Sequence, residues 1–164
     1  FNHGGKMMEG EELTALQSRD VAWALFHLAE AGFSKVMSWL SDVNILNIKN
    51  DKLWGVTSDN QKTVGINFGK VGNGVHLWNN HRDFRSGGKG FQTGYKGGLV
   101  YALAHESWHV EHGLGEYGNG PRQWIEHNIG SHGGAPTTSY GHAHAFGLEA
   151  YRAVGAFFNY GYIW

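Results

Sequence analysis

The sequence predicts an α+β fold in which a small, mainly antiparallel sheet packs against helices. Two observations lead to this prediction. Apolar residues recur at helical spacing in three segments, which span residues 11–31, 34–40 and 139–160. Between the second and third of these, loosely alternating runs are separated by turn-forming Gly, Asp and Asn, which is typical of short strands; these runs are 43–48, 63–68 and 75–78. We expect the last two runs to pair as a hairpin.

Length and composition bound the kind of protein. With 164 residues the chain can bury a substantial core, so we expect one domain over 1–164, with a loosely ordered lead-in at 1–10. Charged residues are 16% of the chain and aromatic residues 14%, which argues against extensive disorder. The net charge of −1 comes without a basic cluster, so nucleic acid is not an expected partner. No apolar run is long enough to span a membrane.

The chain has 11 His and no Cys. Disulfides and thiolate ligands are therefore excluded, and a bound metal would have to be held by His and carboxylate. The absence of Cys is compatible with the cytosol. The first residue is Phe1 rather than Met, and from this we expect the chain to be a processed or excised piece of a longer protein.

The sequence His-Glu-Ser-Trp-His at 105–109 matches the pattern H-E-x-x-H. On a helix, His105 and His109 lie about 40° apart and one turn apart, so both imidazoles can reach one metal ion. Glu106 flanks the same face, where its carboxylate can take a proton from water. The surroundings favour a helix, because Leu99, Leu103 and Val110 recur at helical spacing and Gly113 follows as a stop signal.

A catalytic zinc ion needs three protein ligands, and this motif supplies two. We predict Glu149 as the third, because it lies in the apolar pattern of the C-terminal helix, where a carboxylate is costly without a counter-charge. Two alternatives stay open. Glu149 could instead form a surface pair with Arg152, and His142, seven residues earlier on a similar face, could be the third ligand or a donor to the oxyanion.

The motif followed by Glu149 in a downstream helix resembles zincin metallopeptidases of the gluzincin type. The segments 104–110 and 148–152 are also similar to C-terminal metallopeptidase domains of bacterial polymorphic toxins of the Rhs type. The resemblance covers roughly residues 60–158 and implies a zincin-like fold, with the small sheet packed on the metal helix and the C-terminal helix. Metzincins are excluded, because their extended motif needs Gly and His where this chain has His112 and Gly115.

The resemblance implies a zinc-dependent metallopeptidase that hydrolyses peptide bonds. Zn²⁺ would be held by His105, His109 and Glu149, and Glu106 would be the general base. The oxyanion would need a hydrogen-bond donor, for which His142, Tyr151 and Tyr140 are candidates.

The toxin-like resemblance further implies a domain that is secreted or delivered into a target cell. Its expected partners are a protein or peptide substrate and a cognate inhibitor or immunity protein. Two alternatives remain at this stage. One is a cell-wall amidase or peptidoglycan peptidase, and the other is a non-catalytic metal-binding interaction domain. Glu106 argues against the second, because a structural site has no use for a base.

Overall fold

The computed structural model describes residues 1–51, 53–71, 75–76, 91–92, 94–114 and 143–158. These residues form a mixed α+β structure, which confirms the predicted α+β class. The helices are α1 (Ala15–Glu30), α2 (Ser34–Leu40), α3 (Tyr95–His112) and α4 (Ala143–Phe158). The strands are β1 (Asn2–His3), β2 (Lys6–Met7), β3 (Asn44–Asn47), β4 (Gly55–Thr57), β5 (Thr63–Ile66), β6 (Val75–His76) and β7 (Phe91–Gln92).

Helix α1 begins later than the sequence pattern indicated. Thr14 accepts a hydrogen bond from the backbone N–H of Gln17, and the Gln17 side chain accepts one from the backbone N–H of Thr14. This reciprocal capping satisfies two N–H groups that the first turn leaves unpaired, so the helix starts at Ala15. Glu11 instead forms an isolated antiparallel bridge with Asn47. The predicted bounds of α2 are confirmed.

The central sheet has the strand order β3-β5-β4. Strands β3 and β5 are parallel, whereas β4 and β5 are antiparallel, so this sheet is mixed. The other described pairs, β1 with β2 and β6 with β7, are antiparallel. The predicted hairpin between β5 and β6 is wrong, because β5 already uses both of its hydrogen-bonding edges.

The first residues form a hairpin in place of the loosely ordered lead-in expected from the sequence. Strands β1 and β2 pair with Asn2 opposite Met7. The turn between them is held by Asp59, whose carboxylate oxygens accept hydrogen bonds from the backbone N–H groups of Gly4 (2.8 Å) and Gly5 (3.0 Å). An acceptor 54 residues away therefore orders this segment, and no local pattern in residues 1–10 could predict it.

Helix α3 occupies the centre of the fold. Every residue from Gly97 to His109 is buried. The helix is covered by α1, α2 and α4 and by strands β4 and β5. A helix buried on all sides carries apolar residues around its whole circumference, which explains why residues 99–104 read as one apolar run. Burial therefore extends to its polar residues, including His105, Glu106 and His109.

Within the described residues, no helix combines the length and the apolar character needed to cross a bilayer.

The Asp59 contact generates a prediction about pH. Hydrogen bonds from Gly5 and Gly4 hold the pKa of Asp59 below its usual value of 3.8. A carboxylate with a lowered folded-state pKa anchors the hairpin at neutral pH, and the anchor is lost as pH falls through that pKa. The amide NMR shifts of Gly4 and Gly5 should therefore titrate together with a midpoint below 3.8, and Asp59→Asn should abolish this titration. A midpoint at or above the usual value would contradict the contact.

Candidate metal centre

The motif helix ends at a glycine that also orients one of its histidines. Gly113 has φ 112°, in the left-handed region that favours glycine, and its N–H donates to the carbonyl of His109 at 3.0 Å. The carbonyl of Gly113 accepts a hydrogen bond from Nδ1 of His109 at 2.9 Å. Because a carbonyl can only accept, Nδ1 carries the proton, and neutral His109 has its lone pair on Nε2.

The two histidines of the motif face each other through their Nε2 atoms. Nε2 of His105 and Nε2 of His109 are 3.2 Å apart. Two nitrogen ligands at 2.0–2.1 Å from a tetrahedral zinc ion would be separated by about 3.3 Å. The observed separation is close to that value and is also the length of an N–H···N hydrogen bond, and both side chains are buried in this arrangement.

Glu106 is a buried carboxylate with different neighbours at its two oxygens. Oε1 accepts a hydrogen bond from the hydroxyl of Thr57 at 2.9 Å, and the same hydroxyl lies 3.2 Å from the backbone carbonyl of Glu106. Oε2 lies 3.8 Å from Nε2 of His105. One oxygen is therefore held by the sheet, while the other lies beside the pair of imidazoles, where it could take a proton from a water molecule.

Strand β4 approaches Glu106 closely because it begins with a glycine. A Cβ atom at Gly55 would lie 3.0 Å from Cγ and 3.2 Å from Oε2 of Glu106. Contacts this short are tighter than most real Cβ contacts, so a side chain here would press on the carboxylate. Gly55 and Thr57 thus act together: the glycine leaves room for the carboxylate, and the threonine supplies its hydrogen bond.

The turn between β4 and β5 holds the last turn of α3. Nε2 of Gln61 donates hydrogen bonds to the carbonyls of His109 and Val110, both at 3.0 Å. Both carbonyls belong to the last turn of α3, where intrahelical donors run out, and the carbonyl of His109 also accepts from the N–H of Gly113. Gln61 has φ 59°, an uncommon value for a residue other than glycine. Strain at this position is tolerated because the side chain reaches the helix from there.

The structure does not bring Glu149 to the two histidines. The residue of α4 that meets His105 is Gly147, where a Cβ would lie 3.3 Å from Cβ of His105. Glu149 is two residues further on, hence about 200° around the helix, and it is half-buried. Within the described residues, no group of three or more His, Asp or Glu side chains is arranged to hold one ion.

The predicted apolar face of α4 is rotated relative to the observed one. Phe146 is buried as expected, but Glu149 and Ala153 are only partly buried. The helix instead buries a wide arc made of two adjoining stripes: Ala143, Phe146, Ala150 and Val154 on one, and Gly147, Leu148, Tyr151 and Gly155 on the other. The sequence pattern used residues at one edge of this buried arc, and it therefore wrongly predicted that Glu149 lies in the core.

Two of the predicted oxyanion donors cannot be placed, since His142 and Tyr140 lie outside the described residues. Tyr151 is fully buried and packs with Tyr101 and Leu148. It shares the stripe of α4 that carries Gly147, which faces α3. Its role as an oxyanion donor stays a prediction.

One side chain near the motif was not predicted as a site residue. The ring of His144 lies 4.6 Å from the ring of His105, centroid to centroid, and Nδ1 of His144 is 2.7 Å from the hydroxyl of Tyr101. His144 is three residues before Gly147 and so lies on the same side of α4. This spacing indicates a place near His105 only once the structure shows that Gly147 faces His105. Thr57 and Gln61 gave no signal, because their partners are 48 and 49 residues away.

The donor set fits zinc better than a hard cation. Calcium and magnesium take oxygen ligands, whereas neutral imidazoles are typical of zinc and other late transition metals. The geometry of the Nε2 pair and the outer hydrogen bond of His109 to Gly113 are both features of zinc-binding histidines. Comparison with protein-family models, curated proteins and solved structures finds no match to this chain.

The contact between Thr57 and Glu106 can be tested by stability. Thr57→Val keeps the shape of the side chain but leaves Oε1 of Glu106 buried without this donor, which should cost about 1–3 kcal/mol. Thr57→Ser keeps the hydroxyl and should cost less. Urea unfolding of the three proteins at pH 7 measures the difference. Equal midpoints for Thr57→Val and Thr57→Ser would show that the hydrogen bond contributes nothing.

Proposed function

We propose that this chain is a zinc-dependent peptidase of the zincin type. The observation that carries the proposal is the 3.2 Å separation of Nε2 in His105 and His109, beside the buried carboxylate of Glu106. Two imidazoles alone would suit a structural metal. A carboxylate held by Thr57 and placed at the edge of the pair adds the base that hydrolysis requires.

His105 and His109 would hold the ion. When bound, zinc supplies a Lewis acid that polarises a carbonyl and lowers the pKa of water. The protein contributes rigidity to this pair, because both histidines belong to a helix that is buried over residues 97–109. Gly113 fixes the tautomer of His109, so its Nε2 is ready to bind without a proton shift.

Glu106 would transfer the proton. Because Thr57 donates to Oε1, the oxygen for the attacking water is Oε2, which lies on the side of His105. Oε2 accepts the proton of the water and later gives it to the leaving amine. Thr57 also keeps the carboxylate from rotating, so the same oxygen can serve both steps. Tyr151, on the face of α4 that meets α3, is the proposed donor to the oxyanion.

Metal content gives the first test of this proposal. The purified protein should carry about one zinc per chain, since two histidines at this spacing are already placed for one ion. His105→Ala and His109→Ala should each lose that zinc in elemental analysis after dialysis. His27→Ala is the matched control and should keep the zinc. It removes a histidine of α1 that contacts Glu30. Full zinc content in the double variant of His105 and His109 would refute the site.

Catalysis gives the second test. Glu106→Gln should keep zinc and fold but lower the rate by about 10²- to 10⁴-fold, which is the usual contribution of a general base. Glu111→Gln, an exposed carboxylate on the same helix, is the control and should retain the wild-type rate. A mixed peptide library with mass-spectrometric detection of new termini serves as substrate, with purified sacculi in parallel.

The outcomes of this second test separate the alternatives. New peptide termini that depend on Glu106 support the peptidase. Release of fragments from sacculi alone would favour the cell-wall amidase. Wild-type turnover by Glu106→Gln would rule out the proposed chemistry, and loss of zinc in this variant would make Glu106 a ligand instead of a base.

A further inference from the structure

We propose that His144 is the third protein ligand of the zinc site, in place of Glu149. This inference rests on the proposed function, because it names a further residue of the same site. Its basis is the way in which α4 packs against α3, and it assigns the centre three imidazoles where the resemblance to gluzincins implied two imidazoles and a carboxylate.

Helix α4 can approach the motif helix because it has a glycine at the point of contact. A Cβ at Gly147 would lie 3.1 Å from Cε2 of Tyr101 and 3.3 Å from Cβ of His105. These distances are shorter than most real Cβ contacts, so a side chain at this position would crowd α3. The backbone of α4 therefore packs directly against the side chains of Tyr101 and His105. Residues one turn before Gly147 on α4 are thereby brought beside His105, and the residue at that position is His144.

Two contacts place the ring of His144 beside the motif. Its ring centroid is 4.6 Å from that of His105, slightly closer than the 4.9 Å between the rings of His105 and His109. Its Nδ1 is hydrogen-bonded to the hydroxyl of Tyr101 at 2.7 Å. When that Nδ1 carries the proton, Nε2 is the coordinating nitrogen, as it is in His109, whose Nδ1 bonds to Gly113.

Glu149 lacks these relations. It lies about 200° around α4 from Gly147, on the side away from the contact with His105. His144 is about 60° from Gly147, on the same side of the helix. The described residues do not gather three ligands about one point, so this assignment requires the side chain of His144 to turn toward the Nε2 pair.

Affinity measurements separate the two residues. Zinc added to metal-free protein is titrated against a chelator at fixed pH. His144→Ala should weaken zinc binding by more than the 10- to 100-fold that is typical of outer hydrogen-bond partners. Tyr101→Phe should weaken it by about 10- to 100-fold, since Tyr101 orients the ligand. Glu149→Ala and the control His27→Ala should bind like the wild type. Equal affinity for His144→Ala and wild type, or loss of zinc in Glu149→Ala, would overturn the assignment.

A measurement on the wild type avoids any loss of fold in the variants. Imidazole nitrogens report zinc binding directly in long-range ¹H–¹⁵N NMR spectra recorded with and without zinc. The Nε2 signals of His105, His109 and His144 should move together, while His27 keeps its position. Movement of His105 and His109 with a different third histidine, or with none, overturns the role of His144 alone. If no histidine signal moves, both the zinc site and the proposed function fail.

Discussion

The structure depends on the burial of the central part of the motif helix. Residues 97–109 of α3 are all buried, so this part of the helix is the centre of the core as well as the carrier of the candidate site. A carboxylate in such a place is costly unless it is hydrogen-bonded and paired. The hydroxyl of Thr57 at 2.9 Å supplies one partner, and the imidazole of His105 supplies a nearby group that can bind a cation. The apolar packing and the polar site therefore constrain the same helix.

The segment from β4 to β5 holds this helix at two points. Thr57 bonds to Glu106, and four residues later Gln61 bonds to the carbonyls of His109 and Val110. Both contacts act on motif residues or their backbone, so any shift of the β-segment would move the proposed base and a proposed ligand together. Gln61 adopts φ 59° to make its bonds. Such strain persists only where surrounding contacts over-determine the conformation, which is typical of segments that position a functional group.

The sequence predicted what short-range geometry determines. The spacing of His105 and His109 fixes their common face on any helix, and the bounds of α2 follow from local periodicity. It could not predict which strands pair, because β5 lies between β3 and β4 through contacts distant in the chain. The hairpin at residues 1–8 depends on Asp59 in the same way. The contacts of Thr57 and Gly55 with Glu106 could not be predicted for the same reason. Nothing in a threonine or a glycine of a short strand indicates that a buried carboxylate lies opposite.

The prediction of Glu149 as third ligand shows that an apolar stripe alone is a weak guide to which residues of a helix face the core. Phe146 and Glu149 share one edge of the pattern on α4, but the helix buries an arc wide enough to include Leu148 and Tyr151 on the far side. The exact rotation of α4 is set by Gly147 against Tyr101 and His105. The residue that this contact brings beside the motif helix is His144, whose ring lies 4.6 Å from the ring of His105, and its position depends on the packing of two helices distant in the chain.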